Sequence, residues 1–349
     1  MSFRSFFFEF GRYFFGRRDW RPPQRIPPAS APCPIGWQPS VLAPVFYGVR
    51  EYAQPSPCVV FFPSLDGSVA SAPILEGCGR YPLILLAHGH CGEAQHYKKW
   101  YELPAQLARC GNVVVVPELP ATSGGTYPWD PNQDLQVMAN LMSWLRNLWP
   151  HRNMLMPGRT GIIGHSYGAL LGARFASQTA VSAFASLSGT WVEWPTTSPN
   201  PLHVLDVPTV HAWGTGVGDV FSSLSATLWN ALPRPKHKVV FDGAEHWDYL
   251  PAGRSSCEGI RGTCSVVHPF STDLACTFFG KYMPPEDWPA LSTLIPDNLI
   301  PPAMSLTVEQ QFFAGGHLMG LSLLIGRAGC GVTFAWENRG GQAGSERRP

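Results

Sequence analysis

The chain has 349 residues, of which 45% are hydrophobic and 14% charged, and its formal net charge is +1. A chain of this size and hydrophobicity can bury a large core, and its near-neutral charge, without a block of Lys or Arg, argues against a nucleic-acid partner. The sequence has no internal repeat, phosphate-binding loop, dinucleotide fingerprint or zinc-type His/Cys spacing, so we expect neither a cofactor nor a metal ion.

Residues 1–40 differ in composition from the rest, because aromatic and basic side chains are followed by a Pro-rich stretch from Pro22 to Pro34. Polar residues interrupt the apolar run, so this is not a standard signal peptide. We expect a cytoplasmic or peripheral protein, or a secreted one if a signal peptide has been removed. Two interpretations of this arm stay open: weak contact with a membrane or apolar surface, or, as we favour, packing on the domain or disorder.

The main domain is predicted over residues 41–283, where apolar strands alternate with helices. In chain order, residues 58–69 and 82–89 contain the early strands, and later strands are predicted at residues 112–117, around 162–163, and at 181–187, 207–214 and 236–243. Helices are predicted at 98–110 and from Asp130, with Asp as N-cap and Pro131 in the first turn, to Pro150. This alternation predicts an α/β fold with a mostly parallel central sheet flanked by helices.

The segment Gly164-His165-Ser166-Tyr167-Gly168 follows one of these strands and precedes a helix rich in small residues. A G-x-S-x-G motif in that context indicates a nucleophile elbow. The glycines let strand and helix approach closely, and the serine is held on a strained turn with its hydroxyl exposed to a cleft. Ser166 is therefore the predicted nucleophile.

A serine nucleophile needs a base and an acid, and two later loops offer them. His246 follows the strand at 236–243, and Asp219 follows the strand that ends at Gly214. The spacings, 219 − 166 = 53 and 246 − 219 = 27 residues, leave room for two αβ steps and one. Asp206 and Asp242 are competing carboxylates, and the five positions from Gly214 to Asp219 make a longer acid loop than usual.

Two backbone amides are predicted to bind the negative oxygen of a tetrahedral intermediate. The apolar strand that begins at Pro82 ends in His88-Gly89-His90, and the amide of His90 is one predicted donor. The amide of Tyr167, the residue after the nucleophile, is the other.

The connection after the strand at 181–187 is too short for a large helical cap, because only residues 189–207 separate it from the next strand. We therefore expect an open site. Trp191, Trp194 and Trp247 are the predicted substrate-binding residues at its border, since sites in α/β folds form beyond the carboxyl ends of strands.

The motifs H-G-H, G-H-S-Y-G and G-A-E-H, in this order, resemble those of the α/β-hydrolase superfamily over residues 56–282. Within it, the chain is similar to dienelactone hydrolases, platelet-activating-factor acetylhydrolases and cutinase-like polyester hydrolases. The resemblance implies a serine carboxylic-ester hydrolase with a Ser-His-Asp triad, an acyl-enzyme and no cofactor, acting on esters that include bulky or polymeric ones. The alternatives are a polyesterase that degrades aromatic polyesters such as PET, and a catalytically silent binding protein with the same fold.

Residues 284–349 form a predicted extension that the core fold does not need. We expect it to pack on the core through one or two added strands and to be disordered after Asn338. In the loop before this extension, Cys257 and Cys264 are spaced for a disulfide.

Overall fold

The computed structural model describes most of the chain between Phe46 and Glu286, and the backbone of three later strands. The described residues are 46–64, 69–74, 80–89, 102–120, 131–189, 205–216, 219, 225, 229, 232, 235–250 and 267–286, with the backbone of 306–314, 317–325 and 334–338. The sequence predictions that lie outside them concern the arm over residues 1–40, His90, Trp191, Trp194, the loop with Cys257 and Cys264, and the end after Asn338. No helix in the described part of the chain is long and apolar enough to cross a membrane.

Eleven strands and four α-helices are described. The strands are β1 (Phe46–Tyr52), β2 (Cys58–Ser64), β3 (Tyr81–Ala87), β4 (Val113–Pro117), β5 (Leu155–His165), β6 (Ala183–Leu187), β7 (Thr209–Gly214), β8 (Lys236–Phe241), β9 (Leu306–Ala314), β10 (His317–Ile325) and β11 (Phe334–Asn338). The helices are α1 (Glu102–Arg109), α2 (Pro131–Asn147), α3 (Tyr167–Gln178) and α4 (Val267–Tyr282), and a 3₁₀ turn (Arg152–Met154) precedes β5.

All of these strands belong to one sheet in the order β1-β2-β4-β3-β5-β6-β7-β8-β9-β10-β11. The six central strands are parallel to one another and lie in the order β4, β3, β5, β6, β7 and β8. Antiparallel pairs extend the sheet at both edges. This architecture confirms the predicted α/β fold with a mostly parallel sheet, and it aligns the carboxyl ends of β5 to β8 along one edge.

Helices cover both faces of the sheet, as a parallel sheet requires. Alternation along β3 illustrates the arrangement: Ile84 and Leu86 pack with residues of α1 and α4 on one face, whereas Leu83 and Leu85 pack with residues of α2 and α3 on the other. Because side chains of a strand point alternately to the two faces, the uniformly apolar sequence of β3 supplies both cores.

The structure differs from the sequence-based prediction at both edges of the sheet. The sequence pattern predicts a sheet that begins at Cys58, but β1 precedes it and pairs antiparallel with β2 over its whole length. β1 was missed because Arg50 and Glu51 break its apolar pattern, which an edge strand tolerates. At the other edge, the described residues after 284 form three strands where one or two were expected, and the first of them, β9, pairs with β8.

Candidate active site

Ser166 lies in the tight turn between β5 and α3. Its φ is 56° and its ψ is −127°, a backbone conformation that is unfavourable for a residue with a Cβ atom. The backbone amide of Ser166 donates a hydrogen bond to the carbonyl oxygen of Leu187 at 3.1 Å, which ties the turn to the end of β6. This is the strained strand-to-helix turn that the motif predicts.

Two glycines make this turn sterically feasible. A Cβ atom on Gly164 would lie 2.3 Å from the carbonyl oxygen of Gly168, and one on Gly168 would lie 2.0 Å from that of Ala87. Both distances are far inside van der Waals contact with backbone atoms. The absence of these side chains therefore lets the start of α3 pack directly on β3 and β5.

His246 lies in the turn after β8, and its Nε2 is 2.9 Å from the Oγ of Ser166. The amide of Glu245 donates to the Oδ2 of Asp248 at 2.7 Å, which stabilises this turn. On the other side, the Nε2–H of His165 donates to the carbonyl oxygen of His246 at 3.0 Å, and the two imidazole rings are 4.8 Å apart. The predicted base is thus fixed through its backbone by groups on both sides.

Asp219 is buried near His246, but the two side chains do not form a direct hydrogen bond. The Oδ1 of Asp219 is 4.0 Å from the Nδ1 of His246, which exceeds hydrogen-bond distance. The hydroxyl of Ser188 lies between them, 2.7 Å from that Nδ1 and 3.1 Å from the Oδ2 of Asp219. The amide of Gly214 also donates to this Oδ2, at 2.8 Å.

The three candidate carboxylates differ in their position relative to the base. Asp219 is buried beside His246, whereas Asp206 is exposed before β7. Asp242 is exposed as well, and it accepts a hydrogen bond from the hydroxyl of Thr215 at 2.9 Å. The structure therefore brings Asp219, and neither of its two competitors, to the histidine.

The long acid loop reaches the site because it stays in contact with the turn that carries His246. The amide of Gly216 donates to the carbonyl oxygen of Ala244 at 2.8 Å, and a Cβ atom on Gly214 would lie 2.0 Å from that same oxygen. The amide of Asp219 in turn donates to the carbonyl oxygen of Gly216 at 3.0 Å. These contacts keep Asp219 close to the end of β7 despite the additional residues.

Burial keeps the imidazoles of this site neutral at neutral pH. Burial lowers the pKa of His246 well below 6.5, and the neighbouring His165 lowers it further. The pKa of His165 is itself lowered to about 4, again by burial. A neutral His246 has a lone pair available to accept a proton, which is the state that a general base requires.

Part of the predicted oxyanion site is described. A Cβ atom on Gly89 would lie 2.9 Å from the Cβ of Ser166, so the loop after β3 passes directly beside the predicted nucleophile. His90, the next residue, lies outside the described residues. Tyr167 begins α3, and the amides of a helix's first turn point out of its N-terminus, where Ser166 is located.

Of the three predicted substrate-binding tryptophans, Trp247 is described. It is partly exposed, and its ring packs edge-on against that of His246 with the centroids 4.8 Å apart. Trp191 and Trp194 lie outside the described residues, so their place in the site stays a prediction.

Ser188 is a site residue that the sequence motifs do not predict. Ser188 comes directly after β6, at the sheet edge where Ser166, Asp219 and His246 also lie. A polar residue at that point of a strand is the feature that could have identified it. No motif contains it, which is why it was missed.

Comparison with known proteins agrees with this architecture. Residues 82–207 match a protein family described as alpha/beta hydrolase fold. No curated protein matches the chain. The matched region includes the turn with Ser166 and ends before Asp219 and His246, whose positions are therefore known from the geometry alone. The sheet order, the elbow and this match together show that the chain has the α/β-hydrolase fold, with a hydrogen-bonded serine, histidine and aspartate consistent with a serine hydrolase triad.

Proposed function

We propose that the protein is a serine carboxylic-ester hydrolase in which Ser166 is the nucleophile, His246 the base and Asp219 the acid. The observation that carries this proposal is the 2.9 Å contact between the Oγ of Ser166 and the Nε2 of His246 at a strained elbow. Burial keeps His246 neutral, so that it can take the serine proton. The ester substrate class is supported by the resemblance of the sequence to esterases of this superfamily.

The proposed reaction has two halves. Ser166 attacks the ester carbonyl carbon while its proton passes to the Nε2 of His246, and the carbonyl electrons move to the oxygen. The bond to the alcohol then breaks, and the alcohol oxygen takes the proton from Nε2, leaving an acyl-enzyme. Water, deprotonated by the same imidazole, attacks the acyl group and releases the acid and Ser166.

The oxyanion donors in this proposal are the amides of His90 and Tyr167. The position of Tyr167 at the start of α3 and the close approach of Gly89 to Ser166 support it. Fixed backbone dipoles suit this role because they need no reorientation as charge develops on the oxygen.

A second candidate function is cutinase-like hydrolysis of aromatic polyesters such as PET. One observation favours it: Trp247 presents a partly exposed ring directly beside the base. Together with Trp191 and Trp194 it would form an aromatic wall on which a flat acyl group can stack. A small-ester esterase has no need of such a wall.

A substrate panel separates these functions. We expect p-nitrophenyl acetate and medium-chain esters to be cleaved in plain buffer, and the matching p-nitroanilides much more slowly. For the polyesterase, an aromatic polyester film should also release soluble acids. Trp247→Ala should then raise KM for aromatic esters about three- to tenfold more than for the acetate, as loss of one aromatic contact predicts.

Two other outcomes would change the assignment: the first contradicts the proposal, and the second narrows it to one kind of ester hydrolase. Failure of a fluorophosphonate to label the wild-type protein would favour a catalytically silent binding protein. Activity that rises only above the solubility limit of the substrate would indicate a lid and a lipase.

A further inference from the structure

We propose that Ser188 is a positioning residue of this site, and that its hydroxyl carries the interaction between the carboxylate of Asp219 and the imidazole of His246. The arrangement is then a chain of four side chains, Ser166, His246, Ser188 and Asp219, in place of three. This inference rests on the proposed hydrolase function and specifies how the acid acts in it.

The distances leave the hydroxyl as the shorter connection. The direct separation between Asp219 and the Nδ1 of His246 is 4.0 Å, whereas the Ser188 Oγ is 2.7 Å from that nitrogen and 3.1 Å from the carboxylate. Protein hydrogen bonds have donor–acceptor distances of about 2.5 to 3.2 Å, so both contacts of Ser188 lie within that range and the direct pair lies outside it. The short path through Ser188 therefore carries more of the interaction than the direct contact does.

The bridge also selects the tautomer of the base. An ionised carboxylate can only accept, so the single hydroxyl proton of Ser188 is donated to Asp219. The Oγ of Ser188 can then only accept from His246, which places the imidazole proton on Nδ1. Nε2 consequently faces Ser166 as an acceptor, the form in which it can remove the serine proton.

The backbone holds Ser188 in this place. Its φ is 42°, its side chain is fully buried, and its amide donates to the carbonyl oxygen of Ala212 at 2.7 Å. Strained non-glycine residues of this kind persist where the surrounding structure determines them, and they cluster at functional sites. In each half of the reaction protons enter and leave the imidazole at Nε2, while the two bonds of Ser188 at Nδ1 orient and stabilise the imidazolium.

Two substitutions distinguish the effect of the Ser188 hydroxyl from the effect of the strained backbone. Ser188→Ala and Ser188→Gly both remove it, but glycine also relieves the positive φ. We expect both variants to lose about 10- to 100-fold in kcat and in the rate of fluorophosphonate labelling, as for loss of one hydrogen bond to a charged group, with KM unchanged. A purely structural role would instead separate the two variants according to backbone strain.

Ser186→Ala is the matched control. Ser186 lies in β6, the strand that Ser188 follows, and is also buried, and its Oγ is 2.9 Å from the Nδ1 of His211. This variant loses a buried serine–histidine hydrogen bond without affecting the site, so its kcat should stay within about twofold of wild type.

A double variant tests whether the hydroxyl acts through the acid. If Ser188 transmits the effect of Asp219, Ser188→Ala should cost at most about threefold in the Asp219→Asn background, because residues that act as a unit are not additive. A full additive loss in the double variant, or a Ser188→Ala protein with the kcat of the wild type, would overturn the inference about Ser188. The hydrolase proposal would still stand as long as the fluorophosphonate labels the wild-type protein. A wild-type protein that resists the fluorophosphonate would overturn both.

Discussion

Two serines in the described part of the chain combine a positive φ with contact to the same imidazole. Ser166, at 56°, meets the Nε2 of His246, and Ser188, at 42°, meets its Nδ1. Each such conformation costs on the order of 1–3 kcal/mol in a residue with a Cβ atom. Both of these strained serines contact a ring nitrogen of the proposed base, which links their strain to chemistry.

The assignment of the acid is tested by comparing two carboxylates. Asp219→Asn should lower turnover on the order of 10⁴-fold, because the new amide can donate to the Oγ of Ser188, whose proton then goes to the Nδ1 of His246 and leaves the wrong imidazole tautomer. Asp242→Asn is the matched control, since Asp242 is exposed and bonded to Thr215. The assignment would be refuted if Asp242→Asn or Asp206→Asn abolished most of the turnover while Asp219→Asn lowered it only mildly.

The pH dependence of catalysis follows from the burial of His246. An unperturbed imidazole would place the acid limb of kcat/KM near pH 6.5. Because burial and His165 lower the pKa of His246, the imidazole stays neutral to lower pH, and the limb should lie below 6.5. Initial rates across pH 5 to 8 measure the position of this acid limb. Each sample is retested at neutral pH to exclude irreversible inactivation. A reversible limb at or above 6.5 would show that His246 is less buried than described.

At the scale of elements, four adjacent parallel strands each deliver one side chain to the site. β5 leads to Ser166, β6 to Ser188, β7 to Asp219 and β8 to His246. The functional groups therefore converge because the carboxyl ends of parallel strands lie at one edge of the sheet.

The elbow depends on close packing between β3 and α3. Gly168→Ala should destabilise the protein by more than about 2 kcal/mol or displace the serine, because the new Cβ would lie 2.0 Å from the backbone oxygen of Ala87. Gly158→Ala is the control. Gly158 has a φ of 69° but open space around it, so this substitution should lower the free energy of unfolding only by the conformational cost of about 1 kcal/mol. Urea unfolding and esterase rates measure both effects. Equal stability of the two variants would contradict the packing argument.

Elements with a strong local pattern were predictable from the sequence. Local sequence is enough to recognise the apolar runs of β3 and β4 and the elbow motif. Ser166, Asp219 and His246 then follow strands in the expected order. Ser188 was not predictable, because its role depends on a 4.0 Å gap between two side chains that sequence cannot give. Nor were β1 and the number of strands after residue 284, since edge strands tolerate polar residues.

For the molecule as a whole, buried histidines make stability dependent on pH. Burial lowers the pKa of His88 and His165 to about 4 and that of His211 and His237 to about 3, from 6.5 in the unfolded chain. Below pH 6.5 the unfolded chain therefore binds protons that the native state does not, and stability falls as pH decreases towards 4. Each histidine contributes a loss approaching about 1.4 kcal/mol per pH unit.

Urea unfolding at pH 7.5, 6.5 and 5.5 checks this expectation. The free energy of unfolding should fall modestly between the first two values and about three times as much between the second and the third. A free energy that is constant down to pH 5.5 would mean that these histidines are solvated or protonated in the native state.

The most direct test of the proposed hydrolase is the activity of Ser166→Ala and His246→Ala on p-nitrophenyl acetate, beside Ser186→Ala as control. Removal of the nucleophile or the base should each lower kcat on the order of 10⁴-fold or more, with circular dichroism and urea unfolding close to wild type. A well-folded Ser166→Ala protein that retains substantial esterase activity would contradict the account.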